Sequence, residues 1–189
     1  MHIAVYCSSS NQIDAKYRHV AKTLGQQMAE GGHTLVYGGG RVGLMGVIAR
    51  AVHEGEGTVV GVIPERLKSK EGIAYGVADE MIVTQTMRER KRHMYERADA
   101  FIVLPGGLGT LEEFMEVLTL KQLAYHGRPI TLINTDGFFD TLLDFFEELL
   151  DGHFARGPVE ELVGIVTEPD QALAYIDTHA VAGADGREG

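Results

Sequence analysis

Residues 99–113 read DAFIVLPGGLGTLEE: an apolar run, a proline, a glycine-rich turn and the start of a helical pattern. Residues 99–104 have the continuous apolar character of a strand covered on both faces, and Pro105 closes it. Leu111, Phe114, Met115 and Leu118 then recur at helical spacing, predicting a helix over residues 111–124. A strand that feeds a helix through glycines is the repeating unit of a parallel α/β sheet. The amides of this turn and the Thr110 hydroxyl make an anion cradle. A capping box between Thr110 and Glu113 is the plain structural alternative, and the two readings are compatible. Glu112, Glu113 and Glu116 project away from the apolar stripe, at the carboxyl edge of the sheet where ligands bind in such folds.

The same alternation extends outward in both directions. Strands are expected over residues 2–6, 34–37, 58–63, 129–133 and 163–166. Helices are expected from Tyr17 to Met28 and over residues 43–53, 86–97, 138–150 and 171–178. Residues 65–79 read as a loop near the working edge of the sheet. No repeat or linker interrupts the pattern. The expected architecture is therefore one Rossmann-like domain over residues 1–179, a doubly wound parallel sheet with helices on both faces. Residues 180–189 have too little apolar content to pack and are expected to form a flexible tail.

A chain of 189 residues is long enough to bury a sizeable core without staples. Its single cysteine, Cys7, excludes an internal disulfide, and no apolar run approaches the roughly 18 residues of a membrane span. The N-terminal residues lack the pattern of a signal peptide, so a cytoplasmic location is expected. With 27 acidic against 17 basic residues the formal net charge is -10, which repels a nucleic-acid backbone. The 8 histidines show no ligand spacing and Cys7 has no cysteine partners, so no metal site is expected.

A second glycine cluster, GGGRVGLMG at residues 38–46, formally matches GxGxxG between a strand and a helix. Glycines there permit close approach of a phosphate to helix N-terminal amides, or simply a tight turn with close packing. A dinucleotide site would need an acidic residue about 20 positions on, at the end of the next strand. Glu65 beyond Pro64 is a poor match, and the cluster follows the second strand rather than the first, which argues against NAD. The helix over residues 86–97 is basic: Arg88 and Arg92 suit a solvated face, whereas Arg90 or Lys91 could reach a bound phosphate. Ser8, Ser9 and Ser10 follow the first strand and could face the same ligand. Cys7 reads as a small buried hydrophobe rather than a nucleophile.

Together these stretches resemble the LOG family, the cytokinin riboside 5'-monophosphate phosphoribohydrolases. The resemblance rests on PGGLGTLEE at residues 105–113, GGGRVGLMG at 38–46, VVGVIP at 59–64 and MRERKRHM at 87–94, with further matches up to GHF at 152–154. It implies hydrolysis of the N-glycosidic bond of an adenine-type nucleoside 5'-monophosphate, without a cofactor, giving free base and ribose 5-phosphate. It also implies a homodimer; the long helix after Gly109 is a candidate contact, and its apolar residues equally suit an intramolecular core. By the same match, the catalytic pair falls on Arg90 and Glu113. Substrate and phosphate binding fall on Ser9, Gly39, Gly40, Gly43, Met45, Met87, Lys91, Gly106, Gly107, Gly109, Thr110 and Glu116. Leu108, Leu120 and Ser8 depart from residues common in the family, which leaves the shape of the base pocket open. The alternatives are a general AMP nucleosidase, a noncatalytic nucleotide carrier, and a lysine decarboxylase, which would need a pyridoxal phosphate lysine that no local pattern supports.

Overall fold

The computed structural model describes residues 1–68 and 76–180. The expected tail therefore lies outside the described residues except for Ala180, as does part of the expected loop. The elements are β1 (His2–Tyr6), α1 (Ala15–Glu30), β2 (Thr34–Tyr37), α2 (Gly43–Glu54), β3 (Val59–Pro64) and β4 (Glu80–Thr84). There follow α3 (Met87–Arg97), β5 (Ala100–Val103), α4 (Leu108–Gln122), β6 (Ile130–Ile133), α5 (Asp140–Asp151), β7 (Gly164–Val166) and α6 (Pro169–Ala180).

The strands form one seven-stranded sheet in the order β4-β3-β2-β1-β5-β6-β7, and every neighbouring pair is parallel. The winding moves outward from β1 to β4, then returns to place β5 on the other side of β1. Beyond the carboxyl ends of β1 and β5, chain direction reverses and a crevice opens, the usual ligand position in a doubly wound sheet.

Alternation along β1 shows how both faces are covered. Ile3, Val5 and Cys7 join the core beneath α1, α2 and α6, with Leu24, Met28, Ile48 and Ile176. Ala4 and Tyr6 join the core beneath α3, α4 and α5, with Met94, Phe101, Phe114 and Phe146. Because both faces are buried, the strands read as continuous apolar runs, and truncating a side chain such as Phe101 removes about 3–5 kcal/mol.

Two details differ from expectation. Residues 80–84, unassigned by periodicity, form β4, in register with β3 from Val60↔Glu80 to Pro64↔Thr84. As an edge strand it is mostly half-exposed, so its three apolar residues give no run long enough to stand out. Helix α4 begins at Leu108 rather than Leu111, because Gly107 takes the N-cap position. This moves Thr110 inside the helix, and the alternative of a Thr110–Glu113 capping box does not form.

Candidate active site

The crevice between β1 and β5 holds a cleft of about 380 Å³. Residues 8–10 form one wall and residues 107–110 another, and the Ser8 amide donates to the Pro105 carbonyl at 3.3 Å. Met45, Met87, Arg90, Glu112 and Glu113 complete it, with Cys7 at its base.

At the first turn of α4 no side chain caps the helix. A Cβ built on Gly107 or Gly109 would meet nothing within 4 Å, so packing within the described chain does not require glycine at either position. The two glycines instead leave open space in front of the helix amides. Thr110 is buried, and its hydroxyl occupies the volume that a Cβ on Gly106 would need. An uncapped fifteen-residue helix with its N-terminus at a cleft favours an anion through its free N–H groups and its dipole.

The glycine cluster at residues 38–46 has a different fate. The Gly43 amide donates to the Asn11 side-chain oxygen at 2.9 Å, and the Leu44 and Met45 amides both reach the Ser8 carbonyl, at 2.8 and 3.4 Å. The N-terminus of α2 is thus capped by the loop that follows β1. Gly43 has φ +62, and a Cβ there would lie 2.5 Å from the Ser8 carbonyl oxygen. Gly43 thus packs against the serine loop and Gly39 against Val62 and Ile63; neither they nor Gly40 are among the residues lining the cleft, while Met45 from the same segment is.

Helix α3 starts with a capping box in which Thr86 and Glu89 satisfy each other's backbone donors. One turn in, Arg90 is 8% exposed. Its Nε donates to the Val62 carbonyl at 3.1 Å and its Nη1 to Glu113 Oε1 at 3.0 Å. Gly38 makes room for this guanidinium, since a Cβ there would sit 2.0 Å from Arg90 Nη2. That role for Gly38 was not visible in the local sequence, where Gly38 is simply the first glycine of the GxGxxG match. Glu113, also 8% exposed, gains its compensating charge from Arg90. Removing either partner strands a buried charge, at a cost of about 3–5 kcal/mol.

The next residue on α3 behaves differently. Lys91 Nζ contacts the carboxylates of Glu112 and Glu116, the latter at 3.2 Å, and bridges α3 to α4. Lys91 and Glu116, expected at the substrate, are not among the residues lining the cleft. Arg92 pairs with Glu96 on the solvated face at 2.7 Å. Burial pushes the Cys7 thiol well up, so it stays protonated and inert as a nucleophile. Burial, reinforced by Glu113, likewise raises the Tyr6 phenol. Among the described residues no group of three or more His, Cys, Asp or Glu could hold a metal ion, and no helix is long and apolar enough to cross a membrane.

Residues 45–176 match the family described as "Possible lysine decarboxylase". The chain is 41% identical over 177 residues to the cytokinin riboside 5'-monophosphate phosphoribohydrolase LOG2 of Arabidopsis thaliana, covering 94% of this chain and 83% of that one. It is 48% identical over 161 residues to the enzyme LOG of Oryza sativa subsp. japonica, covering 85% and 66%. Among solved structures, the molybdenum cofactor carrier protein of Chlamydomonas reinhardtii superposes with a TM-score of 0.72 at 24% identity, over 96% of this chain and 97% of that one. The molybdenum cofactor binding protein of Rippkaea orientalis superposes with a TM-score of 0.70 at 25% identity, over 94% and 95%.

Proposed function

The chain belongs to the LOG family of cytokinin riboside 5'-monophosphate phosphoribohydrolases, and on that premise we propose that it hydrolyses the N-glycosidic bond of N6-modified adenosine 5'-monophosphates, releasing free base and ribose 5-phosphate. The observation that carries this reading is the buried Arg90–Glu113 pair, 3.0 Å apart, in the wall of the cleft that the uncapped α4 N-terminus faces.

The 5'-phosphate docks on the free amides of residues 107–110, with Ser9 and its neighbours on the opposite wall. Binding energy from this nonreacting group fixes the sugar relative to Glu113. As the bond between C1' and the base nitrogen breaks, the base leaves with the electron pair and takes up a proton, and the sugar passes through an oxocarbenium-like state. The Glu113 carboxylate stabilises that positive charge and takes a proton from the water whose oxygen joins C1'. Arg90 supplies the compensating charge and aims the carboxylate.

This chemistry needs no cofactor. Neither Lys91 nor Lys121 fits a pyridoxal phosphate lysine. Lys91 is engaged by two carboxylates, and Lys121 lies near the far end of α4, roughly 20 Å along the helix from Leu108 at 1.5 Å per residue. A carrier role is favoured by one observation, the likeness in fold to cofactor carriers, and an open amide cradle serves binding as well as turnover.

The deciding experiment incubates the protein with N6-isopentenyladenosine 5'-monophosphate, AMP and the corresponding nucleosides, and quantifies base and ribose 5-phosphate. Release from monophosphates alone is expected. A preference for the modified substrate supports the cytokinin assignment, equal rates support a general AMP nucleosidase, and binding without release supports a carrier.

We also infer a homodimer through the α4 face. Leu108, Met115, Leu123 and Tyr125, on or just after this helix, are exposed large apolar residues, and Phe145 and Phe154 add to them. Light scattering coupled to size exclusion is expected to give twice the chain mass.

A further inference from the structure

On the opposite face of the sheet from α3 and α4, a groove of about 420 Å³ runs between α1 and α2, lined by Arg18, His19, Lys22, Val47, Arg50 and Glu54 among others. Three cationic side chains thus meet one carboxylate in a chain whose formal net charge is -10. Among the described residues Arg18, Lys22 and Arg50 form no ion pair. Arg18 instead donates through Nε to the Ile13 carbonyl at 3.4 Å and through Nη2 to the Asn11 carbonyl, and Arg50 Nη1 donates to the Arg41 carbonyl at 3.4 Å. Backbone carbonyls orient these two guanidinium forks without neutralising them.

Like charges gathered in a concave site repel one another and focus a positive potential into it. An anion relieves that repulsion. Guanidinium groups already held in place also lose little freedom on binding, and their planar forks match phosphate oxygens. The volume exceeds what a single phosphate fills and lies in the range of small-molecule sites, about 300–1,000 Å³. We propose that the α1–α2 groove is a second anion-binding site, separate from the cleft, that takes a small molecule bearing a diphosphate. The geometry also places this site beside the catalytic wall, because Arg18 grips the loop whose Asn11 caps α2 and whose residues 8–10 line the cleft.

Equilibrium dialysis with labelled pyrophosphate tests the proposal. Arg18 is left intact because it holds the cleft wall. The wild-type chain is expected to bind two pyrophosphates. The Lys22→Gln/Arg50→Gln variant should bind one and keep its basal turnover, the lost site weakening at least about tenfold, or about 1.4 kcal/mol. Gly107→Val, which places a branched side chain into the open cleft, should remove the other site and retain the groove. Repeating the titration of Gly107→Val with ADP separates sources: tighter binding than pyrophosphate identifies a nucleotide, and equal binding identifies the diphosphate alone. No pyrophosphate bound by Gly107→Val, or as many sites on the Lys22→Gln/Arg50→Gln variant as on the wild-type chain, overturns the proposal, whereas a single wild-type site that Gly107→Val retains bears only on the cleft.

Discussion

The turn after β2 and the turn after β5 are both rich in glycine, and both lead into a helix at the carboxyl edge of the same sheet. After β2, Asn11 and the Ser8 carbonyl occupy the amides of Gly43, Leu44 and Met45, so the turn is a brace for the serine loop. After β5, no side chain caps α4 and two glycines have nothing to pack against, so the turn is left open, as the proposed phosphate receptor requires. A glycine motif shows that something approaches the backbone closely; whether that something is the protein or a ligand depends on what else has folded against it.

The largest effect should come from the receptor side. Glu113→Gln preserves size and a hydrogen-bond acceptor for Arg90 but not the charge, and turnover is expected to fall on the order of 10³-fold with little change in KM. Steady-state kinetics with the modified monophosphate checks this, and a fully active variant would remove Glu113 from the mechanism.

Matched substitutions in the two turns test the contrast directly. Gly43→Ala forces a Cβ to 2.5 Å from the Ser8 carbonyl at positive φ, and denaturant melts should show a loss of about 2–4 kcal/mol. Gly107→Ala meets nothing, so stability should stay within about 0.5 kcal/mol while KM rises. If both variants lose stability alike, the distinction between brace and receptor fails. A smaller change is expected for Asn11→Ala, which uncaps α2 and should lower stability by about 1 kcal/mol in the same melts.

A pH-dependent effect of similar modest size concerns how the open-ended helix is anchored. His126 accepts from the Arg128 amide through Nδ1 at 3.2 Å, so Nε2 carries the proton and donates to the Val117 carbonyl of α4 at 3.0 Å. Burial lowers its pKa from 6.5 to about 4, an effect that Arg128 and Lys121 reinforce and the Val117 hydrogen bond opposes. Because the unfolded chain takes up this proton first, the stabilising contribution is complete above pH 6.5 and is lost as pH falls from 6.5 toward 4. The ring is partly exposed to solvent screening, so the loss should be about 1–2 kcal/mol, and His126→Gln should flatten that part of the stability profile.

Much of this was legible along the chain. The apolar run of residues 100–103, the proline and the stripe of Leu111, Phe114 and Leu118 carry strand, stop and helix in covalent order, and Arg90 and Glu113 followed from motif resemblance. β4 was not legible, because a half-exposed edge strand has little apolar signal. Nor was the division of labour between Arg90 and Lys91. Adjacent on one helix and equal in charge, they diverge because one reaches Glu113 and the Val62 carbonyl while the other meets Glu112 and Glu116.

The sequence by itself determined the α/β alternation, the two glycine turns and the residue types able to hold a phosphate or assist glycosidic cleavage, since each is encoded among near neighbours. Only the tertiary structure decided which turn stays vacant and where the buried ion pair sits. Asn11 lies 32 residues from the amide it caps, and Arg90 lies 23 residues from Glu113. Partners that far apart are chosen by how strands order in the sheet, which local periodicity does not specify.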